Sequence, residues 1–258
     1  MPDTNTGRPK AALGVGSLIG ESFSIFFAHF LQVMAVAFVP IVLGSVISGL
    51  LIGFDVSIGI KSADFTSVGS SAVYLFSTVI EMAVGNIAAA LLVQLAYDAK
   101  LRRPVRLGRY VVTVLNMIVP LAVLSFVANA LMGIGLVLLI IPGLWINAVF
   151  YVMVPAVVIE RKGFYGLGRS ASLTKDYVLP VMGLVILGIA YFLTVGTTSG
   201  IFIEPLLNTV GTVFTFILLS VLASIEAGLA GILVALTYAR LREIKEGVSV
   251  NQIASVFD

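Results

Sequence analysis

The chain has 258 residues, of which 59% are hydrophobic and 11% are charged. Because a soluble globular domain has about 25% charged residues, this composition excludes that class and predicts an all-α polytopic membrane protein. The absence of cysteine excludes disulfides, iron–sulfur clusters and thiolate chemistry, and the net charge of +2 conceals an uneven distribution of Lys and Arg.

The N-terminal segment precedes the first long apolar stretch. Residues 1–10 are polar and are predicted to be a disordered cytoplasmic N-terminus. Residues 17–30 are predicted to form an amphipathic helix in the headgroup plane, because apolar side chains recur on one face at helical spacing. These side chains are Leu18, Ile19, Phe23, Phe26, Phe27 and Phe30. The alternative interpretation is that this helix packs under the bundle without touching lipid.

Six apolar segments follow, and each is long enough to cross ~30 Å of hydrocarbon as a helix. The charge-free stretch 110–159 must form two helices, with a turn predicted at Ile141-Pro142-Gly143 because proline lacks a backbone donor. The connection between spans 5 and 6 is predicted around Glu204. The predicted spans are 30–52, 72–97, 113–140, 144–160, 177–199 and 208–239.

These spans organise the chain into one membrane domain, residues 11–247. A short cytoplasmic tail, residues 248–258, follows it. In this tail Ser249 and Gln252 have the spacing of a capping box, which predicts the start of a short helix.

The basic residues lie in every second gap between the spans. Fourteen of the fifteen Lys and Arg residues follow this alternation, and Lys61 is the exception. Because cytoplasmic loops are enriched in Lys and Arg, both termini are predicted to be cytoplasmic. Contacts with anionic lipid headgroups are predicted for Arg102, Arg103, Arg106, Arg109 and Arg169. The alternative is that these charges only set the topology.

Three short segments resemble one another, and each precedes an odd-numbered span. They are Leu18-Ile19-Gly20-Glu21-Ser22, Arg106-Leu107-Gly108-Arg109-Tyr110 and Gly166-Leu167-Gly168-Arg169-Ser170. The inner ends of spans 2 and 6 also match around Tyr97 and Tyr238. This pattern predicts a three-fold repeat of one interfacial helix and one two-span hairpin. Chance similarity of short apolar stretches is the alternative.

Two carboxylates lie inside predicted spans and are the candidates for a polar pathway. Glu81 and Glu226 should face the bundle or a water cavity, because a charge in hydrocarbon is costly. Asn86 and Asn147 are predicted to join them in a substrate or proton pathway. The alternative is that the two acids are structural. The single His29 and the absence of a nucleotide motif predict no metal, no cofactor and no catalytic residue.

Small residues mark the predicted packing faces of spans 1 and 6. Gly44 with Ser48, Gly49 with Gly53, and Gly228 with Gly231 and Ala235 recur at spacings of three or four. Such faces allow close approach of helix backbones, either within the chain or to another integral membrane protein.

One set of residues is similar to a known family. These residues are Ile141-Pro142-Gly143-Leu144, Val154-Pro155-Ala156, Glu160-Arg161-Lys162-Gly163, Arg169-Ser170, Leu173-Thr174-Lys175 and the ending from Tyr238 to Gly247. The chain resembles bacterial inner-membrane proteins similar to the membrane domain attached to some glycerophosphodiester phosphodiesterases. The resemblance implies a polytopic fold in the bacterial inner membrane. It carries over no activity and no catalytic residue.

The predicted function is therefore a non-enzymatic structural or accessory component of a membrane assembly or of envelope maintenance. Its predicted partners are membrane lipids and other integral membrane proteins, not nucleic acid. The alternative function is a transporter or channel for a lipid or small solute, which would use the region of Glu81 and Glu226.

Overall fold

The structure, a computed structural model, describes residues 11–57 and 61–247. Within these ranges the chain is helical and contains no strand. The helices are α1 (Val15–Ala28), α2 (Phe30–Ile52), α3 (Phe54–Ser57), α4 (Val68–Lys100), α5 (Leu107–Asn116), α6 (Ile118–Leu138), α7 (Ile140–Phe150), α8 (Met153–Val158), α9 (Gly166–Thr174) and α10 (Val178–Glu246). A short 3-10 turn, Gly163–Tyr165, precedes α9. The predicted disordered N-terminus and the capping box at Ser249 and Gln252 lie outside the described residues.

Five helical segments are long and apolar enough to cross a membrane by length and composition. They are α2, α4, α6, the combined segment Ile140–Val158, and α10. This result confirms the all-α polytopic fold, and α1 is the shorter apolar helix that precedes the first span.

The longest helix, α10, is a hairpin of two spans. A straight helix of its 69 residues would place its ends roughly 100 Å apart at ~1.5 Å per residue. Lys245 Nζ nevertheless lies 3.0 Å from Asp176 Oδ2, just before the start of α10. The chain reverses at Gly211, whose φ of 79° and ψ of 170° suit glycine. The first arm (178–210) and the second arm (212–246) give six spans in all.

The position of this reversal differs from the predicted one. The connection between spans 5 and 6 was expected around Glu204, but the helix continues through Glu204 and Pro205 as far as residue 210. Both arms are therefore longer than the predicted spans.

The turn between α6 and α7 is displaced by a few residues from Ile141-Pro142-Gly143. The chain is extended at Leu139, with φ of −162° and ψ of 146°, and α7 begins at once. Pro142 lies in the first turn of α7, where a missing N–H removes no helical hydrogen bond. A Cβ added to Gly135 would lie 2.9 Å from Gly143 Cα, so the two backbones are in contact at this hairpin.

The predicted fourth span is interrupted between α7 and α8. The break at residues 151 and 152 lies just before Pro155. Because proline has no N–H, the carbonyl of Tyr151 receives no helical hydrogen bond from it. The break is therefore a local effect of this proline.

Backbone geometry supports the predicted three-fold repeat. His29, Met117 and Tyr177 separate α1, α5 and α9 from the spans that follow. Their φ angles are −120°, −111° and −124°, and their ψ angles are 28°, 10° and 15°. Each of their carbonyl groups accepts a hydrogen bond from the residue four positions later, at 2.9, 2.9 and 3.0 Å.

Side-chain burial follows the same register. The glycine of each matched segment (Gly20, Gly108 or Gly168) lies nine residues before its junction. The residues seven, four and three positions before each junction are all buried: Ser22, Ile25 and Phe26 in α1; Tyr110, Thr113 and Val114 in α5; Ser170, Leu173 and Thr174 in α9. The three interfacial helices thus bury equivalent faces, which chance similarity does not explain.

The apolar side of α1 is divided between two environments. Phe26 is buried and packs edge-on against Phe30, whereas Phe23 and Phe27 are 46% and 69% exposed. One face of α1 therefore packs on the bundle and the adjoining face is free to contact lipid.

Small residues bring α2, α4 and the second arm of α10 together within the chain. Ser48 and Ser77 hydroxyls lie 2.6 Å apart between α2 and α4. A Cβ added to Gly231 would lie 2.7 Å from Leu92 Cβ, and one added to Gly228 would lie 2.7 Å from Val33 Cγ1. These contacts confirm the within-chain packing predicted from the glycine spacing.

Candidate functional site

The Lys- and Arg-rich segments between the predicted spans lie together at one end of the bundle. The Tyr177 hydroxyl donates to the Ala11 carbonyl at 2.9 Å, and Arg240 donates to the Ala12 carbonyl at 3.2 Å. Lys100 forms an ion pair with Glu21. We call this the basic end. Both ends of the described chain lie there, as the alternation of charges predicts, and its placement on the cytoplasmic side stays a prediction.

Five residues at the basic end form a network around one carboxylate. Arg169 Nε donates to both oxygens of Glu160, at 2.9 and 2.8 Å, and the Tyr238 hydroxyl donates to Glu160 Oε1 at 2.8 Å. Arg242 Nε lies 3.8 Å from Glu160 Oε1 and donates to Glu246 Oε2 at 2.9 Å. Arg169 also pairs with Glu246. We call these residues the Glu160 network.

The Glu160 network joins the last two repeat units. Glu160 follows α8, Arg169 belongs to α9, and the other members lie near the end of α10. The hydrogen bond that Arg169 donates to Glu160 raises the pKa of the Arg169 guanidinium. Arg169 was predicted to contact lipid, but two carboxylates hold its guanidinium. The arrangement ties α9 and the end of α10 to the residue that follows α8, so it suits a structural role.

A cavity of about 330 Å³ opens beside this network, between α4, α5 and the turn after α8. Its lining includes Gln94, Asp98, Arg103, Arg109, Tyr110 and Arg161. An adjoining cavity of about 350 Å³ shares Arg109, Thr113 and Arg161 with it. We call the two together the arginine cavity.

Hydrogen bonds hold three of the residues that line the arginine cavity: Tyr110, Asp98 and Gln94. The buried Tyr110 donates its hydroxyl proton to Asp98 Oδ2 at 2.7 Å. Burial and this hydrogen bond raise the pKa of the Tyr110 hydroxyl, which therefore stays protonated. Gln94 Nε2 donates to the Tyr110 carbonyl at 3.4 Å and to the Ala90 carbonyl at 3.1 Å.

The cavity includes residues that the sequence did not single out. Arg103 and Arg109 were predicted headgroup contacts, whereas Arg161 and Asp98 were not site candidates. Arg161 has a φ of 54°, a conformation that non-glycine residues rarely adopt. Arg161 belongs to the stretch Glu160-Arg161-Lys162-Gly163 that resembles a known family, but the sequence does not indicate this cavity, because the neighbours of Arg161 come from α4 and α5. Arg102 and Arg106 are exposed, and the lining of neither cavity includes them.

The four residues of the predicted polar pathway do not form a joined set in the described part of the chain. Glu81 is exposed on α4, and Glu226 is half-buried on the second arm of α10. Asn86 Nδ2 donates to the Met82 carbonyl at 2.8 Å, and Asn147 Nδ2 contacts Met132 Sδ at 3.0 Å. No hydrogen bond or ion pair links any two of the four.

Among the described residues, no group of three or more His, Asp or Glu side chains could hold a metal ion. In comparisons with known proteins, no family model, curated protein or solved structure matches the chain.

Proposed function

We propose that this chain is a non-enzymatic membrane protein that acts as a structural or accessory component of a membrane assembly. The first arm of α10 carries this proposal. Between residues 186 and 210 this arm contributes no buried residue. A Cβ added to Gly196 or Gly200 would meet no atom within 4 Å. The arm therefore presents a small-residue face that this chain leaves uncovered.

Gly196 and Gly200 have the spacing at which helices in membranes approach closely. Lipid tails are as apolar as leucine side chains, so helices in a bilayer associate through close packing and not through hydrophobic burial. The chain already uses this chemistry internally, at Gly228 and Gly231 of the second arm. The same packing at Gly196 and Gly200 would join the first arm to a helix of another integral membrane protein.

The Glu160 network supports the same role, because it fixes the base of both arms. Arg169 lies just before the first arm, and Arg242 and Glu246 lie at the end of the second. Lys245 adds hydrogen bonds to Asp176 and to the Ser172 carbonyl, at 3.0 and 2.8 Å. The free face would thus be presented from a rigid base. In a bacterial inner membrane, which the family resemblance implies, such a protein would serve envelope maintenance.

A pair of leucine substitutions tests the proposal. Gly196→Leu with Gly200→Leu fills open space in the isolated chain, so the protein should fold, and the partner helix should be blocked. The measurement is purification in mild detergent with identification of every co-purifying membrane protein. The matched control is Gly85→Leu with Gly133→Leu, since a Cβ at either of these glycines also meets no atom within 4 Å.

The expected result is that the control retains the co-purifying proteins of the unmodified chain and the Gly196/Gly200 variant loses them. Retention of the same proteins, in the same amounts, by the Gly196/Gly200 variant would contradict the proposal.

A transporter or channel for a lipid or small solute is the second candidate function. It is favoured by Glu226, a half-buried carboxylate in the middle of the second arm. A carboxylate within a span is a common feature of substrate and proton pathways.

A further inference from the structure

We propose that the arginine cavity binds a phosphate group, and that the headgroup of an anionic phospholipid supplies it. The inference does not depend on the partner helix proposed for the first arm, because the cavity lies at the basic end and the free glycines lie in α10. It assigns a ligand to a defined set of side chains, in place of a general attraction between basic residues and the membrane.

The cavity brings two arginines together. Five basic residues at the basic end are paired with carboxylates: Lys100 with Glu21, Arg169 with Glu160 and Glu246, Arg240 with Glu243, Arg242 with Glu246, and Lys245 with Asp176. By contrast, Arg109 and Arg161 form no ion pair with any residue that the structure describes. Each of these two arginines lines both parts of the arginine cavity.

The one carboxylate among the described lining residues does not neutralise both Arg109 and Arg161. It is Asp98, whose Oδ2 already accepts a hydrogen bond from the Tyr110 hydroxyl at 2.7 Å. The planar guanidinium groups of Arg109 and Arg161 can each donate two parallel hydrogen bonds to a phosphate group. An anion with several acceptor oxygens is therefore the complementary ligand.

The start of α5 adds a second attraction for an anion. Arg106 occupies its N-cap position without a side-chain capping hydrogen bond, and its first turn contains no acidic residue. The first N–H groups of a helix lack intrahelical acceptors and carry a partial positive charge. Gly108 and Arg109, in this first turn, both line the cavity. The Arg109 N–H already donates to the Arg106 carbonyl at 3.0 Å, so Gly108 supplies the backbone donor beside the guanidinium groups.

The surroundings of the cavity favour a lipid over a soluble phosphate. Val112 lines the cavity and is 58% exposed, and Leu115, one turn further along α5, is 59% exposed. This apolar face leads from the arginines along the interfacial helix, where acyl chains can lie. Basic pockets of this kind between membrane helices bind anionic headgroups. The two volumes, about 330 and 350 Å³, suit a small headgroup.

The test uses the purified full-length chain in phosphatidylcholine nanodiscs, titrated with short-chain phosphatidylglycerol. Bound lipid is counted by native mass spectrometry. Arg109→Gln with Arg161→Gln should weaken phosphatidylglycerol binding by at least ~10-fold, because charge-assisted hydrogen bonds are lost. The matched control, Arg102→Gln with Lys162→Gln, removes two exposed charges at the same end but outside the cavity lining. It should change binding by less than ~3-fold.

A second variant keeps the test informative if the glutamine pair folds poorly. Arg109→Lys with Arg161→Lys retains both charges and loses the paired donors, so its affinity should lie between those of the unmodified chain and the glutamine variant. A further titration with sn-glycerol 3-phosphate distinguishes the source of the phosphate. Competition with phosphatidylglycerol only at a large excess supports a lipid ligand. Tight binding of sn-glycerol 3-phosphate, without phosphatidylglycerol binding, overturns the lipid assignment.

The proposal is also overturned if the glutamine variant binds phosphatidylglycerol as tightly as the unmodified chain. It fails equally if the control pair loses as much affinity, because charge at the basic end would then be sufficient without the cavity.

Discussion

Removal of the Glu160 carboxylate should destabilise the protein more than removal of any other single acid at the basic end. Its side chain is 10% exposed, and it accepts hydrogen bonds from Arg169 and Tyr238. In Glu160→Ala the buried Tyr238 hydroxyl loses its acceptor, which costs about 1–3 kcal/mol. Arg169 and Arg242 retain Glu246 and are partly exposed, so their loss is smaller, about 1–2 kcal/mol.

The expected total is about 3 kcal/mol, which for a chain of this size corresponds to about 6–12 °C in melting temperature. The measurement is the fraction of monodisperse protein that remains after heating in detergent. The control is Glu243→Ala. Glu243 pairs with Arg240 within one helix at 2.7 Å and is 39% exposed, so its loss should cost about 0–0.5 kcal/mol.

A double-mutant cycle identifies the contact responsible. Tyr238→Phe removes the hydroxyl group that donates a hydrogen bond to Glu160. In the Glu160→Ala background this second substitution should lower stability much less than Tyr238→Phe does alone, because it removes the donor that Glu160→Ala left without an acceptor. Equal melting temperatures for Glu160→Ala and Glu243→Ala would refute the reasoning, since a surface pair and the Glu160 network would then contribute alike. Additive losses in the cycle would refute the specific contact with Tyr238.

Three further predictions concern the membrane topology, the acids and α1. Cysteines that replace Ser67 and Asn208, near the end opposite the basic end, should be labelled from outside intact cells. A cysteine that replaces Ser172 should not be labelled, and efficient labelling there would contradict the proposed orientation. Glu81→Gln and Glu226→Gln should each leave folding and partner binding intact, because an amide can replace a protonated carboxyl group; loss of a measured solute flux with normal expression would instead support the transporter function. Phe26→Ala, at a buried position of α1, should lower stability by about 3–5 kcal/mol. Phe27→Ala, at a position 69% exposed, should have little effect in detergent. Equal thermal stability of the two variants would show that the register of α1 is wrong.

The sequence by itself determined the number of spans, their order and the location of residues 11 and 247 at the same end of the bundle. These properties depend on local quantities. A spanning helix satisfies its own backbone hydrogen bonds, so length and hydrophobicity are sufficient to identify it. The repeat could also be found from sequence, because Gly20, Gly108 and Gly168 occupy one register in the three matched segments. The structure supports it, since the same helical positions after each glycine are buried.

The positions of the turns were only partly determined. Gly200, Pro205 and Gly211 are all acceptable turn residues in the sequence. The structure uses Gly211, where the backbone adopts a conformation that glycine alone tolerates readily. The choice among them depends on how the two arms pair along their length, and a single sequence does not contain that information.

The polar sites were decided only by the tertiary structure. Glu160 and Tyr238 are 78 residues apart in the chain, and their hydrogen bond exists because α8, α9 and the end of α10 meet. Arg161 and Arg109 line one cavity for the same reason, although nothing in the sequence predicts that these two residues are neighbours. The physical reason is that span formation is a local balance between helix and lipid, whereas a charge network depends on which helix ends become neighbours after packing.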